Sequence, residues 1–476
     1  MSLSEPATTV SEPLPLSLRP RFDALRAGYA RAAMPNVAAR SAHLATLTRA
    51  LKANRAAIAG AIAQDFGHRS PDETDLLEIF PSLEAASHAR QHVKAWMSPK
   101  RQFASLWFLP ARTEIRAQPL GVVGIIVPWN YPLYLAFGPL AAALAAGNRV
   151  MLKMSEFTPS TGALVATIIA ENFAADHVTV VNGDTAIARE FAALPFDHLL
   201  FTGSTEIGRH VMRAAAENLT PVTLELGGKS PAVIGFSADV GEAARKIMFG
   251  KCLNAGQTCI APDYVLLPRA AAPAFIAHAK AAIAAMYPAL TDNPDYSAII
   301  NARHHARLQA LLTDAAAQGA RVTPLAELSQ PCGKIAPTLV ENVTDTMQIM
   351  QTEIFGPLLP LVLVDSLEEA IIYVNGRPRP LALYYFGPDR TEINQVLTET
   401  IAGGVTINET LLHISQDSLP FGGVGPSGMG AYHGKFGFDT FSKLKPIFYQ
   451  SRLNALALFK PPYGKRFRAL INFLVR

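Results

Sequence analysis

Cys259, Glu225 and Asn130 are the side chains of this 476-residue sequence that fit bond-making chemistry when taken together. Cys259 stands in NAGQTCIAP, at a loop-to-strand junction flanked by Gly256 and Pro262, where a thiol can face a cleft. A thiolate is a strong nucleophile at neutral pH, provided something favours the ionised form. Taken singly, a cysteine is more often a small buried hydrophobe. Glu225, in TLELGGKSP, closes an apolar strand and precedes Gly227 and Gly228, which permit close approach of backbone or ligand. A carboxylate in such a strand is costly unless paired or functional, and desolvation lifts its pKa toward the range of a general base. The alternative is a salt bridge to a lysine such as Lys229. Asn130, in PWNYP, sits in a rigid turn between Pro128 and Pro132. Its amide can donate to an oxyanion, or it is simply a turn residue.

Two further patterns suit a nucleotide. FTGSTEIG, with Gly203, Ser204, Thr205 and Gly208, follows a strand and opens a helix, so phosphate oxygens can meet main-chain N–H groups there. It departs from GxGxxG, because Thr205 replaces the middle glycine, and ordinary N-capping explains it equally well. In LKMSE, Lys153 and Glu156 flank another strand end, where a cation and a carboxylate can grip a ribose diol. An acid there favours NAD over NADP. A surface lysine beside a helix-start glutamate is the plainer alternative.

These residues must be held by the elements between them. Helical periods open the chain at Phe22, Leu25 and Tyr29, then at Leu44, Leu47 and Leu51. Short apolar runs then alternate with helices: strands at Val122–Val127, Val150–Lys153, Val178–Val181, His198–Thr202 and Val222–Leu226, with helices between. The helix from Pro132 to Ala146 ends at Gly147 and Asn148, which suit a left-handed cap. Strands apolar on both faces, in βα alternation, predict an α/β fold with a parallel sheet between helix layers. A second alternating series runs from Ser230 to about Asn408. The expected division is a flexible arm at 1–20, a Rossmann-type cofactor domain at 21–226 and an α/β catalytic domain at 227–408. The chemistry belongs in the cleft at their hinge, at the carboxyl ends of the strands.

Composition narrows the function class. Half the residues are hydrophobic and 17% charged, a folded globular balance. Basic residues number 42 against 38 acidic, scattered, with no basic stripe interleaved with aromatics, which disfavours nucleic acid. Three cysteines (Cys252, Cys259, Cys332) without a CxxC pair argue against a disulfide framework and a zinc site, so no metal is expected. Free thiols suit a reducing, cytoplasmic compartment. No secretory signal and no spanning helix are expected. The stretch YGKRFRALINFLVR, at 463–476, lies in a basic amphipathic tail expected over 451–476. It packs on the body or, as the sharper reading, touches a membrane surface.

The order of PWNYP, KMSE, FTGSTEIG, LELGGKSP, GQTC, EIFGP and PFGGVGPSGMG resembles the aldehyde dehydrogenase superfamily from Pro119 to Lys443. GQTCIAPDYVL and PFGGVGPSGMGAYHGKFGFDTFS resemble its class 3 branch, and DFGHRSPDET with RAAAENLTPVTLELGGKSP resembles bacterial coniferyl aldehyde dehydrogenases. The resemblance implies Cys259 as nucleophile, Glu225 as base, and Asn130 with the Cys259 N–H as oxyanion site. It implies Lys153 and Glu156 at the adenosine ribose, Gly203 to Gly208 at the pyrophosphate, and Glu353 with Phe355 at the nicotinamide ribose. NAD is the expected cofactor, with NADP possible. A thiohemiacetal gives a thioester, which water then hydrolyses to the acid. Met154 departs from the family's proline and is expected to loosen that turn. An oligomerisation element is implied at 110–118 and 409–450, serving a homodimer. There Arg112, Glu114 and Arg116 alternate with Thr113 and Ile115, as in a strand exposed on one face.

An apolar or aromatic aldehyde is the expected small-molecule partner, and a long-chain fatty aldehyde the alternative. Tyr131, Tyr134 and Phe249 suit a flat substrate but equally suit a core. Glu225 argues against a CoA-acylating relative, which often lacks the base. No histidine signature beside Cys259 supports a cysteine hydrolase, and an intact Cys259 and Glu225 argue against a non-catalytic NAD-binding scaffold.

Overall fold

A computed structural model describes residues 17–329, 333–454 and 456–475. Residues 1–16 of the expected arm, and Cys332, lie outside the described residues. The chain is ordered before residue 21: Leu18 is buried and a helix begins at Arg19, where Phe22 and Leu25 face inward.

The apolar run after Gly121 forms the strand Val122–Ile126, with all five residues buried. It lies between Arg149–Lys153 and His198–Thr202 in a six-stranded sheet. The order across that sheet is 428–429, 222–225, 198–202, 122–126, 149–153, 178–181. Five strands are parallel, and only Gly428–Met429 runs antiparallel, against Val222–Glu225. The chain first winds outward from Val122–Ile126 and then returns to its other side at His198–Thr202. That reversal is a topological switch point, where connections diverge and leave a crevice beyond the carboxyl ends. Asn130 follows one flanking strand and Gly203 follows the other.

Most expected elements appear within two residues of their predicted ends, and the strands His198–Thr202 and Val178–Val181 coincide with them. The strand expected to reach Leu226 stops at Glu225, because the Leu226 N–H turns to the Ser427 carbonyl. The helix Tyr134–Ala146 is buried at every residue and ends at Gly147, whose φ of 93° is a left-handed cap.

The second sheet has seven strands, ordered 321–324, 338–341, 358–364, 264–268, 231–234, 382–386, 404–407. All are parallel except Arg321–Pro324. One apolar cluster runs through both large sheets, from Val123 and Leu200 to Val233 and Leu266, so the cleft between them has firm walls.

A third, antiparallel sheet joins Lys100–Gln102, Arg112–Pro119 and Ser442–Tyr449. The expected one-sided exposure fails at Glu114, which is buried. Its carboxylate accepts from Tyr449 Oη at 2.8 Å and Arg116 Nε at 2.6 Å, and those donors hold it inside. The helix Lys465–Leu474 has no fully buried residue, but its apolar side is partly covered, and Leu474 shares a cavity with Trp107, Phe108 and Leu109. Among the described residues, no helix is long and apolar enough to cross a membrane.

Candidate active site

The thiol is presented by a tightly coiled loop. Asn254, Ala255 and Gly256 all have left-handed backbones, with φ of 50°, 51° and 73°. Such strain in two non-glycine residues persists only where surroundings over-determine it. Here they do. The Asn254 N–H donates to Glu73 Oε1 at 3.0 Å, and Asn254 Nδ2 donates to the Asn130 carbonyl at 3.0 Å. Gln257 is buried with its amide fully engaged: Nε2 donates to Asn254 O and Ala298 O, while Oε1 accepts from Ile300 N. At Gly256 any Cβ would lie 2.4 Å from the Gly356 carbonyl, so only glycine fits.

A cleft of about 790 Å³ is lined by Cys259, Glu225, Asn130, Lys153, Glu156, Gly203, Ser204, Glu353 and Phe355. Thus the tertiary structure gathers nine of the eleven expected residues on one wall system. Thr205 and Gly208 stand just behind it. Thr205 Oγ1 donates to the Pro426 carbonyl at 3.1 Å, and Gly208 lets its helix approach Leu226, which a Cβ would meet at 2.6 Å.

Electrostatics separates the groups. Glu225 is buried, and neither carboxyl oxygen has a hydrogen-bond partner among the described residues. Burial therefore holds its pKa well above the ordinary carboxylate value. The alternative partner, Lys229, pairs instead with Asp263 and also donates to the carbonyls of Ile349 and Thr352. Burial, followed by the nearby Glu353 and Glu225 carboxylates, pushes the Cys259 thiol up. Glu353 is pushed up to about 8, first by burial and then by Asp263. Lys153 is shifted down by burial, with Nζ donating to Met154 O and Gly183 O at 2.7 and 2.8 Å. Its nearest contact with Glu156 is 3.9 Å.

Several shaping residues escaped the sequence reading. Arg69 and Glu78 form a fully buried ion pair. Arg69 Nη1 also donates to the Asn130 carbonyl at 3.0 Å, and Glu78 Oε2 accepts from the N–H groups of Leu133 and Tyr134. A π-helical stretch, Asp75–Ile79, aims Glu78 inward. In sequence, DETDLLE reads as an acidic helix start on the surface, and nothing local marks two of its glutamates as buried. Arg307 is another such residue, donating to the carbonyls of Glu353 and Ile354. Of the aromatic candidates, Tyr131 Oη meets Thr258 Oγ1 at 2.6 Å beside Cys259, while Tyr134 is a core residue bonded to His433 and Phe249 is exposed.

A family model described as the aldehyde dehydrogenase family matches residues 22–447. The chain belongs to the aldehyde dehydrogenase family. It is 54% identical over 450 residues to a probable coniferyl aldehyde dehydrogenase of Pseudomonas aeruginosa, covering 94% of each chain. Its fold matches the substrate-bound state of Staphylococcus aureus AldH with a TM-score of 0.91 at 37% identity, covering 96% of this chain and 99% of that one. It also matches the NAD+ complex of a Bacillus cereus aldehyde dehydrogenase with a TM-score of 0.82 at 27% identity, covering 92% and 90%.

A nicotinamide dinucleotide is the cofactor of this family, and the cleft suits one. Glu353 Oε1 is a buried acceptor without a partner among the described residues, as a ribose hydroxyl requires. Gly227 keeps that carboxyl in place, since a Cβ there would lie 2.0 Å from Glu353 Oε2. Met154 does not loosen its turn. Its N–H donates to the Val181 carbonyl at 3.0 Å, a bond proline cannot make, and its side chain is fully buried.

Proposed function

We propose that this chain oxidises an apolar or aromatic aldehyde of the coniferyl type to its carboxylic acid with NAD, or with NADP. The observation that carries the mechanism is the meeting of Cys259, Glu225, Asn130 and Glu353 on one cleft. Cys259 Sγ adds to the aldehyde carbon, and Asn130 Nδ2 with the Cys259 N–H steadies the oxygen. The bound nicotinamide supplies the hydride acceptor. Lys153 and Glu156 hold the adenosine end, Gly203 to Gly208 the pyrophosphate, and Glu353 with Phe355 the nicotinamide ribose. Glu225 takes a proton from the water that cleaves the Cys259 thioester, which restores the thiol. Burial raises the pKa of both Glu225 and Cys259, which makes each a stronger proton acceptor once ionised.

The substrate class rests on the 54% identity to the Pseudomonas aeruginosa relative. A rate comparison of cinnamyl-type, benzaldehyde-type and long alkyl aldehydes with both cofactors tests it. The cinnamyl type is expected to give the highest kcat/KM. Preference for long alkyl chains would favour a fatty aldehyde dehydrogenase, and preference for charged semialdehydes would overturn the reading. We further propose a cytoplasmic homodimer joined through the three-stranded sheet, whose Leu444 and Phe448 are exposed. Light scattering of the pure chain tests the dimer.

A further inference from the structure

The net charge of this protein is concentrated in one short segment. Residues 451–476 contain six of the 42 basic side chains and no Asp or Glu. The preceding 450 residues therefore hold 36 basic against 38 acidic side chains, a formal charge of −2. None of Arg452, Lys460, Lys465, Arg466 and Arg468 makes an ion pair among the described residues, although acidic groups abound on the body.

Apolar exposure coincides with that charge. In the helix Lys465–Leu474, Phe467, Leu470, Ile471 and Leu474 form one stripe that is only half covered. Phe473 and Val475 are 71% and 78% exposed. Across from it, the loop before the second strand of the small sheet presents Phe103, Leu106 and Trp107 at 79%, 70% and 60% exposure. A second cavity, of about 480 Å³, joins the two features and is lined by Trp107, Phe108, Leu109, Leu456, Phe459 and Leu474. None of these residues lines the catalytic cleft. Exposed aromatics beside a basic amphipathic helix form a surface that water solvates poorly and that anionic interfaces attract.

We propose that the Trp107 loop and the helix Lys465–Leu474 together dock this enzyme on an anionic lipid bilayer surface, the aromatic side chains entering the headgroup boundary and the cations meeting lipid phosphates. Charge decides between occupants. An isologous contact with a second copy would set one uncompensated basic segment against another, whereas anionic lipid neutralises it.

The test is co-sedimentation of the full chain with phosphatidylcholine vesicles, with and without phosphatidylserine, at low and high salt. The chain is expected to bind only vesicles containing phosphatidylserine and to be released by salt. The triple variant Lys465→Glu, Arg466→Glu, Arg468→Glu is expected to lose about tenfold or more of the bound fraction. Its oxidation of a water-soluble aldehyde should be unchanged. Trp107 emission is expected to shift to the blue on binding, and Trp107→Ser should abolish that shift. Equal recovery with and without phosphatidylserine would overturn the proposal. So would a Trp107 emission already blue in the free chain and insensitive to vesicles, which would assign the surface to a second copy. The salt response of the unaltered chain tests the charge argument independently of how the variants fold.

Discussion

The side-chain amide of Asn130 donates to the main-chain oxygen of Gln257 at 3.1 Å, across 127 residues of chain. This bond ties the turn after the strand Val122–Ile126 to the loop that presents Cys259. Replacing Asn130 by Ala removes the proposed oxyanion donor and is expected to lower kcat by about 10²- to 10³-fold, with KM changed little. Steady-state kinetics on one aldehyde checks this. A rise in KM at constant kcat would show that Asn130 serves ground-state binding alone.

Glu225 makes two predictions through one pKa. Its folded value is raised, so between the ordinary carboxylate value and that raised value the folded chain holds a proton that the unfolded chain has lost. Stability contributed by this group is therefore lost as pH rises through that window, and is indifferent below it. Glu225→Gln is expected to raise the thermal midpoint at pH 8 and leave it unchanged at pH 4. The same variant should slow turnover by about 10²- to 10⁴-fold while a pre-steady-state burst of reduced cofactor survives, because only thioester hydrolysis needs the base. Loss of the burst would place Glu225 in the first half-reaction.

Cys259→Ala should abolish turnover while cofactor affinity, followed by fluorescence titration, stays within about a few-fold of the parent. Substantial residual oxidation would defeat the nucleophile assignment. Because burial and two carboxylates push the thiol up, alkylation of the free enzyme should be slow at neutral pH and still accelerating above pH 9. A plateau near neutrality would mean that a cation unseen in this cleft holds a resting thiolate.

The buried Arg69–Glu78 pair holds the Asn130 carbonyl and the start of the helix Tyr134–Ala146. Arg69→Met leaves an uncompensated carboxylate and is expected to cost about 3–5 kcal/mol of stability, read from denaturant unfolding. Pairing it with Glu78→Leu should recover much of the stability. Activity should recover less, since the clamp on Asn130 remains absent.

Met154→Pro tests whether the family's usual residue suits this chain. It deletes the hydrogen bond to Val181 and leaves that carbonyl without its donor, so a loss of about 1–3 kcal/mol is expected. An unchanged or raised thermal midpoint would show that the turn tolerates proline freely.

Sequence by itself determined the elements and the candidate chemistry. Apolar runs such as Val122–Ile126, alternating with helices, suit a parallel sheet covered on both faces, and local punctuation such as Gly147 stops a helix wherever the chain goes afterwards. Cys259, Glu225 and Asn130 were legible through the order of their motifs, since each residue alone had an ordinary structural reading. What the tertiary structure alone decided was pairing. Lys229 is four residues from Glu225 yet binds Asp263, and Glu73 and Glu78 turn inward from a segment that reads as solvated. Glu114 likewise lies under Tyr449, more than 300 residues away. The physical reason is common to all three. Whether a charge is buried depends on partners brought from distant parts of the chain, and period, capping and spacing describe only neighbours along it.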